Sequence, residues 1–484
     1  MAAHTTPEAP KTSQRVMERG FREFVPDFGL PRAALQDLQY NTSMTTLLET
    51  ARMVVRKLRA AGHETYFAGG FVRDRLLGRP IHEIDIATAA PPDRVEALFP
   101  KTVPVGKAFG VILVLEGDHR FEVATFRSDG RYLDGRRPES VAYSGPEEDA
   151  RRRDFTINGM FFDPETDRVL DFVEGKADLD RRLVRAIGDP KARFSEDRLR
   201  LLRAVRFAGR FGFALDPATE AAIREMAPGI AQVSGERVRD ELSKILTDAS
   251  RSKTLELLRA TGLLPLILPE VSAMEGVPQP PEYHPEGDVW THTKLALDTL
   301  KEPTFELALA VLLHDIGKPR TLVKADRIRF NNHDKVGADM ASGIADRLKL
   351  SNDQKDRIVW LVHKHLAFLQ WELMRESTLK RLLAHEHIVD LLKLVRADTL
   401  GSMADDAYVN RLEEIKSTMK AEELKPPPLV TGKDLIEMGY APGPAFKKAL
   451  TEIMDAQLEG AVKDPGAARE LARKILGPPS SGSR

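Results

Sequence analysis

The stretch that most constrains this chain runs from Tyr66 to Thr88, YFAGGFVRDRLLGRPIHEIDIAT. It predicts a strand ending at Ala68, a Gly69-Gly70 turn, a short helix opening at Phe71, a loop, and a second strand Glu83-Ile84-Asp85-Ile86-Ala87. Glycine lacks a Cβ, so the backbone at such a turn can come close to a bulky anion. The unpaired N–H groups of a helix start favour negative charge at the same place. On the second strand, side chains two apart share a face. Glu83 and Asp85 are therefore expected on one side, with Ile84 and Ile86 turned into the core. Two neighbouring carboxylates repel unless a cation joins them, and magnesium prefers such hard oxygen ligands where phosphates are handled. A Gly-Gly turn alone is only a turn, and an acidic pair alone is a solvated face. Together, about a dozen residues apart, they point to metal-dependent nucleotidyl transfer.

These residues carry a resemblance. Gly69-Gly70-Phe71-Val72-Arg73-Asp74, Leu77-Gly78 and Glu83-Ile84-Asp85-Ile86-Ala87-Thr88 resemble the head motif of the class II tRNA nucleotidyltransferase and bacterial poly(A) polymerase family. The family pattern is Asp-x-Asp, and Glu83 replaces its first member, moving the carboxylate outward by about one bond length. The resemblance implies Glu83 and Asp85 as catalytic ligands of two magnesium ions, and Gly69, Gly70, Arg73 and Asp74 as nucleotide contacts. Further matches follow in order. Glu122, in the E-V-x-T-F-R run of the hairpin Val111–Leu115 and Phe121–Phe126, is implied as a third carboxylate. Tyr132-x-Asp134-Gly135-Arg136-x-Pro138 resembles the flexible loop that family members adding only cytidines generally lack, which argues for completion of the terminal adenosine. Arg153, Asp154 and Asn158 resemble the ribose-selecting motif; chemically, guanidiniums fork onto phosphate or ribose oxygens and a carboxylate accepts from a ribose hydroxyl.

The run SEDRLRLLRAVRF is expected to be one helix with Ser195 as N-cap and Glu196 and Asp197 in its first turn. Asp197, Arg200 and Arg203 then recur every third residue along one face. Such a face is either a salt-bridged exterior or a base reader, since a carboxylate and a guanidinium can together pair with the edge of cytosine or adenine. Resemblance to the E-D-x-x-R motif implies the second, with Glu196, Asp197 and Arg200 in the motif and Arg203 and Arg206 following.

Eight of the 12 histidines fall between His284 and His387. His292, His314-Asp315 and Asp398 have the order of the HD phosphohydrolase superfamily, and imidazole with carboxylate suits a divalent transition metal that activates water against a phosphoester. His333, and His363 or His365, are expected auxiliaries.

The resemblance predicts an α+β head with a mixed sheet, then an all-α neck, HD-type body and tail. The expected boundaries are a loose segment 1–42, head 43–185, neck 186–270, HD body 271–400 and tRNA-binding tail 401–484. The proline-rich PLILPEVSAMEGVPQPPEYHPEGD reads as a linker, and Pro426-Pro427-Pro428 as a boundary. The net charge of −1 provides no global basic field, so an RNA partner must use local patches. With 0 cysteines there is no disulfide-linked partner and no thiolate zinc site. No apolar run reaches membrane-spanning length and the first residues lack a secretory signal, so a cytoplasmic protein is expected. The implied function is template-independent addition of C, C and A to tRNA 3′ ends from CTP and ATP. The alternatives are an A-adding enzyme or poly(A) polymerase of the same family, an HD phosphodiesterase or phosphatase with an RNA-binding head, and a non-enzymatic RNA-binding scaffold.

Overall fold

The computed structural model describes residues 32–130 and 141–478. The chain divides into two compact units. Among the described residues, the first holds 32–127 with Tyr143–Glu148 and Phe161–Leu170; the second holds Asp149–Met160 and 171–478, with 128–130 and 141–142.

The first unit is built on a seven-stranded mixed sheet: β1 Thr65–Ala68, β2 Asp85–Thr88, β3 Thr102–Gly106, β4 Val111–Glu116, β5 His119–Thr125, β6 Phe161–Asp163 and β7 Arg168–Leu170, in the order β3-β4-β5-β2-β1-β6-β7. β2 and β5 run parallel, and the other neighbours are antiparallel. The predicted hairpin is β4–β5, turning through Gly117 at φ 58°. A long helix, Arg32–Ala60, buries Ala51, Val54, Val55 and Leu58 at 0% exposure and stops before Gly62, which sits at φ 86°. The expectation of loose structure up to residue 42 is corrected here, because the backbone is already helical at Arg32. Ala33, Ala34, Leu35 and Gln36 are good helix formers, and no Gly or Pro interrupts them before Gly62. Residues 1–31 and the loop motif at Tyr132–Pro138 lie outside the described residues.

The second unit is largely helical. Helix Arg200–Phe211 is buried on Leu201, Leu202, Ala204, Val205 and Ala208, each at 0% exposure, and closes on Gly212 at φ 65°. Its Gly209 lies against helix Arg251–Ala260, where a Cβ would come within 2.0 Å of Thr254 Oγ1.

The single helix predicted from Ser195 is in fact two. Pro190–Glu196 is capped by Asp189, whose carboxylate accepts from Ala192 N at 2.9 Å, and Asp197 ends that helix in extended backbone. Asp189-Pro190 supplies cap and first helical residue together, so Ser195 falls in a last turn rather than a first. Asp197 Oδ1 accepts from Leu199 N at 3.0 Å, a local bond that competes with continuing the helix.

The predicted linker is packed structure. Leu264–Ile267 and Pro269–Ser272 are helical, and Leu264, Leu268, Val271 and Met274 are at 0% exposure. Its prolines include helix openers, among them Pro269 at the start of the second turn. Beyond the three prolines, the C-terminal helices enclose a core of Val430, Leu435, Tyr440, Ile453, Val462, Ala468 and Ala472.

Replacing Gly209 with Ala tests the helix contact. Overpacking of this kind costs about 1–3 kcal/mol, outweighing the roughly 1 kcal/mol that Ala gains in helix propensity. Urea unfolding of G209A is expected to show a lower midpoint; an unchanged or higher midpoint would contradict the close approach.

Candidate active site and metal centre

In the first unit, Gly69 takes φ 63° and ψ −121° at the N-cap of helix Gly70–Leu76. A side chain there is strained, so the glycine is required by the turn. Arg73 and Asp74 form an ion pair at 2.8 Å, and Arg73 is buried. The helix therefore carries the two expected nucleotide contacts as a mutually bonded pair.

The second strand is shorter than predicted. It begins at Asp85, and Glu83 lies in the coil before it. The in-out alternation nevertheless extends into that coil: Ile84 and Ile86 are buried at 3% and 1%, Asp85 is half-buried and Glu83 exposed. The register gives the third carboxylate implied by the resemblance its place on the sheet. Ile86 on β2 pairs with Val123 on parallel β5, and both are buried at 1%. One residue back on each strand, Asp85 and Glu122 are lateral neighbours on the opposite, open face. Glu122 is exposed there and opposes Leu113 of β4. Groups of three or more ligand atoms within 4.8 Å of one another occur, among the described residues, only in the second unit; Glu83, Asp85 and Glu122 do not form one.

In the second unit, Asp154 is buried at 8% exposure. It accepts from Arg203 Nε and Nη2 at 2.8 and 2.5 Å, from Asn158 Nδ2 at 3.1 Å and from Phe155 N at 2.8 Å. Burial pushes this carboxyl up, but the Arg203 and Arg200 guanidiniums and the hydrogen bonds from Arg203 and Asn158 outweigh it and hold it at about 2. Arg153 binds Asp149 at 3.0 Å, and Arg152 binds the same carboxylate at 2.6 Å. Arg200 binds Glu196 at 2.5 Å, and Arg206 binds buried Glu241 at 2.6 Å. Asp197 is gripped by both Nη atoms of Arg237, at 3.0 and 2.7 Å. The expected ribose- and base-reading residues thus fall in several separate ion-paired groups, with Asn158 joined to Asp154 by a hydrogen bond. Sequence reasoning missed Asp149, Arg237 and Glu241. The available signal was that Arg237 and Glu241, four apart, share a polar face of helix Gly235–Leu246 beside the apolar Val238 and Leu242.

The histidine-rich region closes into a cluster. His292 Nε2 lies 3.0 Å from Asp398 Oδ1 and 3.3 Å from His314 Nε2, and His314 Nε2 lies 3.2 Å from Asp315 Oδ2. The other Asp315 oxygen faces His333 Nε2 at 3.4 Å and His365 Nε2 at 3.8 Å, with the two imidazoles 3.2 Å apart. Three ligand sets result: His292/His314/Asp398 and Asp315/His333/His365, with Asp315 reaching both, and His284/Glu286/His292, whose carboxylate meets the Nδ1 side of His292. His365 is the auxiliary; His363 instead sits 3.7 Å from Asp334. Ligand nitrogens about 2.1 Å from a shared ion stand roughly 3.2 Å apart, the spacing seen for both imidazole pairs. Burial disfavours charge on His314, yet Asp315 and Asp398 raise its pKa to about 10. Lys318 Nζ lies 2.6 Å from Asp315 Oδ2 without hydrogen-bond alignment, leaving that buried oxygen unsatisfied. Orphaned oxygen and convergent nitrogens together fit a divalent transition ion. Lys318, its partner Gln279 at 2.6 Å, and Glu286 went unflagged in the sequence, Gln279 and Glu286 because they sit in the segment read as a linker.

Family models match the chain in three consecutive segments. The poly(A) polymerase head domain matches residues 65–185, the probable RNA- and SrmB-binding site of polymerase A matches 212–274, and the HD domain matches 288–403. The CCA-adding enzyme of Geobacillus thermodenitrificans is 47% identical over 211 residues, 43% of this chain and 52% of that protein. The Bacillus subtilis CCA-adding enzyme is 47% identical over 43% of this chain and 53% of its own length. Against these relatives the chain spans about half their length. The CCA-adding enzyme of Streptococcus mutans is 33% identical over 417 residues, 84% of this chain and 91% of that one. The crystal structure of the Bacillus stearothermophilus CCA-adding enzyme in complex with CTP superposes with a TM-score of 0.68 at 30% identity, covering 88% of this chain and 98% of the other. With head, RNA-binding and HD segments in order and this identity sustained over most of its length, the chain belongs to the CCA-adding enzyme family of nucleotidyltransferases.

Proposed function

We propose that this chain adds C, C and A to the 3′ end of tRNA from CTP and ATP without a nucleic-acid template. The observation that carries the reading is the β2–β5 register, which sets Asp85 beside Glu122 on the open face of the sheet that bears the Gly69-Gly70 turn. Support comes from the relative solved with CTP at 30% identity. The carboxylates of Glu83, Asp85 and Glu122 are hard oxygen donors and fit magnesium, Glu83 and Asp85 as the holders. Bound magnesium supplies positive charge to the attacking hydroxyl and to the triphosphate. The RNA 3′-hydroxyl loses its proton and its oxygen bonds to the α-phosphorus, while the bond to the β-phosphate oxygen breaks and pyrophosphate leaves. The Gly69-Gly70 backbone lets phosphate oxygens approach N–H donors. Arg153 and Asp154 with Asn158 select ribose, and Glu196, Asp197 and Arg200 read the base. Arg203 and Arg206 hold that reader in place through Asp154 and Glu241.

A second activity is supported by a separate observation, the paired ligand sets sharing Asp315. His292, His314 and Asp398, and Asp315, His333 and His365, would each hold a divalent transition ion, giving a phosphohydrolase centre. Such ions, when bound, make water nucleophilic near neutral pH. The substrate class is a phosphate ester, and its release as phosphate separates this activity from the pyrophosphate of nucleotide addition. No helix among the described residues is long and apolar enough to cross a membrane.

The functional test offers tRNA ending before CCA with CTP alone and then with ATP. Addition of two cytidines and then one adenosine is expected; refusal of CTP would favour an A-adding enzyme or poly(A) polymerase and discard this reading. Asp85→Ala is expected to abolish incorporation while tRNA binding by gel shift is unchanged, and near-normal turnover would remove Asp85 from the chemistry. Asp154 gives a pH-dependent prediction. Its folded pKa, about 2, lies below the ordinary 3.8, so its ionic stabilisation, about 2 kcal/mol, is present above pH 4 and is lost as pH falls through 2. The stability difference between wild type and D154N should therefore shrink between pH 4 and pH 2; a constant difference over that window would contradict the assignment.

A further inference from the structure

We propose that Glu286 is a positioning residue for the ion on the His292 side of the histidine cluster: it fixes the His292 ring so that Nε2 presents its lone pair to the metal. The proposal rests on the metal reading of that cluster. An imidazole binds a metal through one nitrogen, and the hydrogen bond made by the other selects the tautomer and the ring orientation. His314, His333 and His365 solve this locally. Each turns Nδ1 to the carbonyl three residues back, Val311, Phe330 and Val362, at 2.7 Å in every case. His292 does not. The carbonyl three residues before it, Val289 O, accepts the Thr293 hydroxyl at 2.8 Å. Instead Glu286 Oε1 receives His292 Nδ1 at 2.8 Å.

The chemistry of this contact is directional. An ionised carboxylate offers only lone pairs, so the proton of the contact is on Nδ1. His292 Nε2 then faces Asp398 Oδ1 at 3.0 Å and His314 Nε2 at 3.3 Å, an electron-rich point that only a cation or a proton reconciles. A carboxylate acceptor also makes the ring a stronger donor than a carbonyl does, which sets His292 apart from the other three. Glu286 is itself built in. Its side chain is at 0% exposure, it also receives His284 Nδ1 at 2.9 Å, and its Oε2 is buried without a hydrogen-bond partner. A buried carboxylate whose partners are imidazoles requires positive charge nearby, and an ion behind His292 supplies it. Two residues on, Asp288 pins the segment by capping helix Val289–Thr299 through Thr291 N at 2.8 Å and by accepting from Gly276 N at 2.5 Å. The stretch that looks like a linker thus aims a metal ligand.

The test is Mn2+ titration of the chelator-stripped full chain by calorimetry, with thermal unfolding of the stripped protein alongside. Beyond the ions held by the head carboxylates, which a parallel titration of Asp85→Ala identifies, wild type is expected to bind two ions at the histidine cluster. E286A should bind one of them about 10–100-fold more weakly. E286Q keeps the shape and a neutral acceptor and should fall between the two. Nucleotide addition should be unchanged in both variants. A purely structural role would lower the unfolding temperature of the stripped protein and leave the affinity of folded E286Q equal to that of wild type. That equality, with wild type binding normally, overturns the role of Glu286 alone. Wild type that binds no Mn2+ beyond the ions lost in Asp85→Ala overturns the metal reading beneath it. If E286A does not fold, E286Q decides.

Discussion

Buried and half-buried guanidinium–carboxylate pairs hold together the part of the second unit proposed above to read the base. Three arginines of helix Arg200–Phe211 each hold a different acid: Arg200 binds Glu196, Arg203 binds Asp154 and Arg206 binds Glu241. Desolvating a charge costs several kcal/mol, and only a close, well-aligned partner offsets it. These pairs therefore contribute less to net stability than to geometry: breaking one leaves a charge stranded. Their partners lie before the helix, in Arg153–Asn158 and at the end of Pro190–Glu196, and after it, in helix Gly235–Leu246. Arg237 of that last helix holds Asp197, so the residues proposed to select ribose and those proposed to read the base are tied to the same helices.

The two proposed chemistries of the chain rest on different donor atoms. Exposed Glu83 in the coil before β2, half-buried Asp85 and exposed Glu122 offer carboxylate oxygens, hard ligands beside the parallel pair β2–β5. The helical cluster offers four imidazoles and two carboxylates with the histidines 0–8% exposed, a softer and drier set. With 0 cysteines, nitrogen is the softest side-chain ligand beyond methionine sulfur, and histidines carry the role that thiolates hold elsewhere. The histidine rings are oriented by backbone carbonyls in three cases and by Glu286 in the fourth.

Much of this was legible from residue order because the motifs are local. The glycine turn, the acidic alternation around Ile84 and Ile86, the hairpin and the His-Asp pair each declare themselves within a few residues. What was not legible depends on register and on distance. Asp85 and Glu122 become neighbours only through the parallel pairing of Ile86 with Val123. Asp197 reads as a first-turn residue until Asp189-Pro190 is seen to start a helix seven residues earlier, with Asp197 at its far end. The segment holding Glu286 was misread because prolines signal linkers, whereas here one opens a helical turn over buried Val271 and Met274. Arg237 has no motif of its own, and its meaning comes from an acid 40 residues away.

The central claim is that protein side chains, Asp197 and Arg200 on the scaffold that Arg237 and Glu196 hold, choose the incoming base. The most direct measurement is nucleotide selectivity in single-turnover extension of tRNA, offering CTP, UTP, ATP and GTP separately to wild type and to a D197A/R200A double variant. The account predicts that the double variant still releases pyrophosphate but extends with UTP and GTP at rates approaching its rate with CTP. A double variant that continues to take CTP and then ATP, and rejects the other two as wild type does, would contradict it.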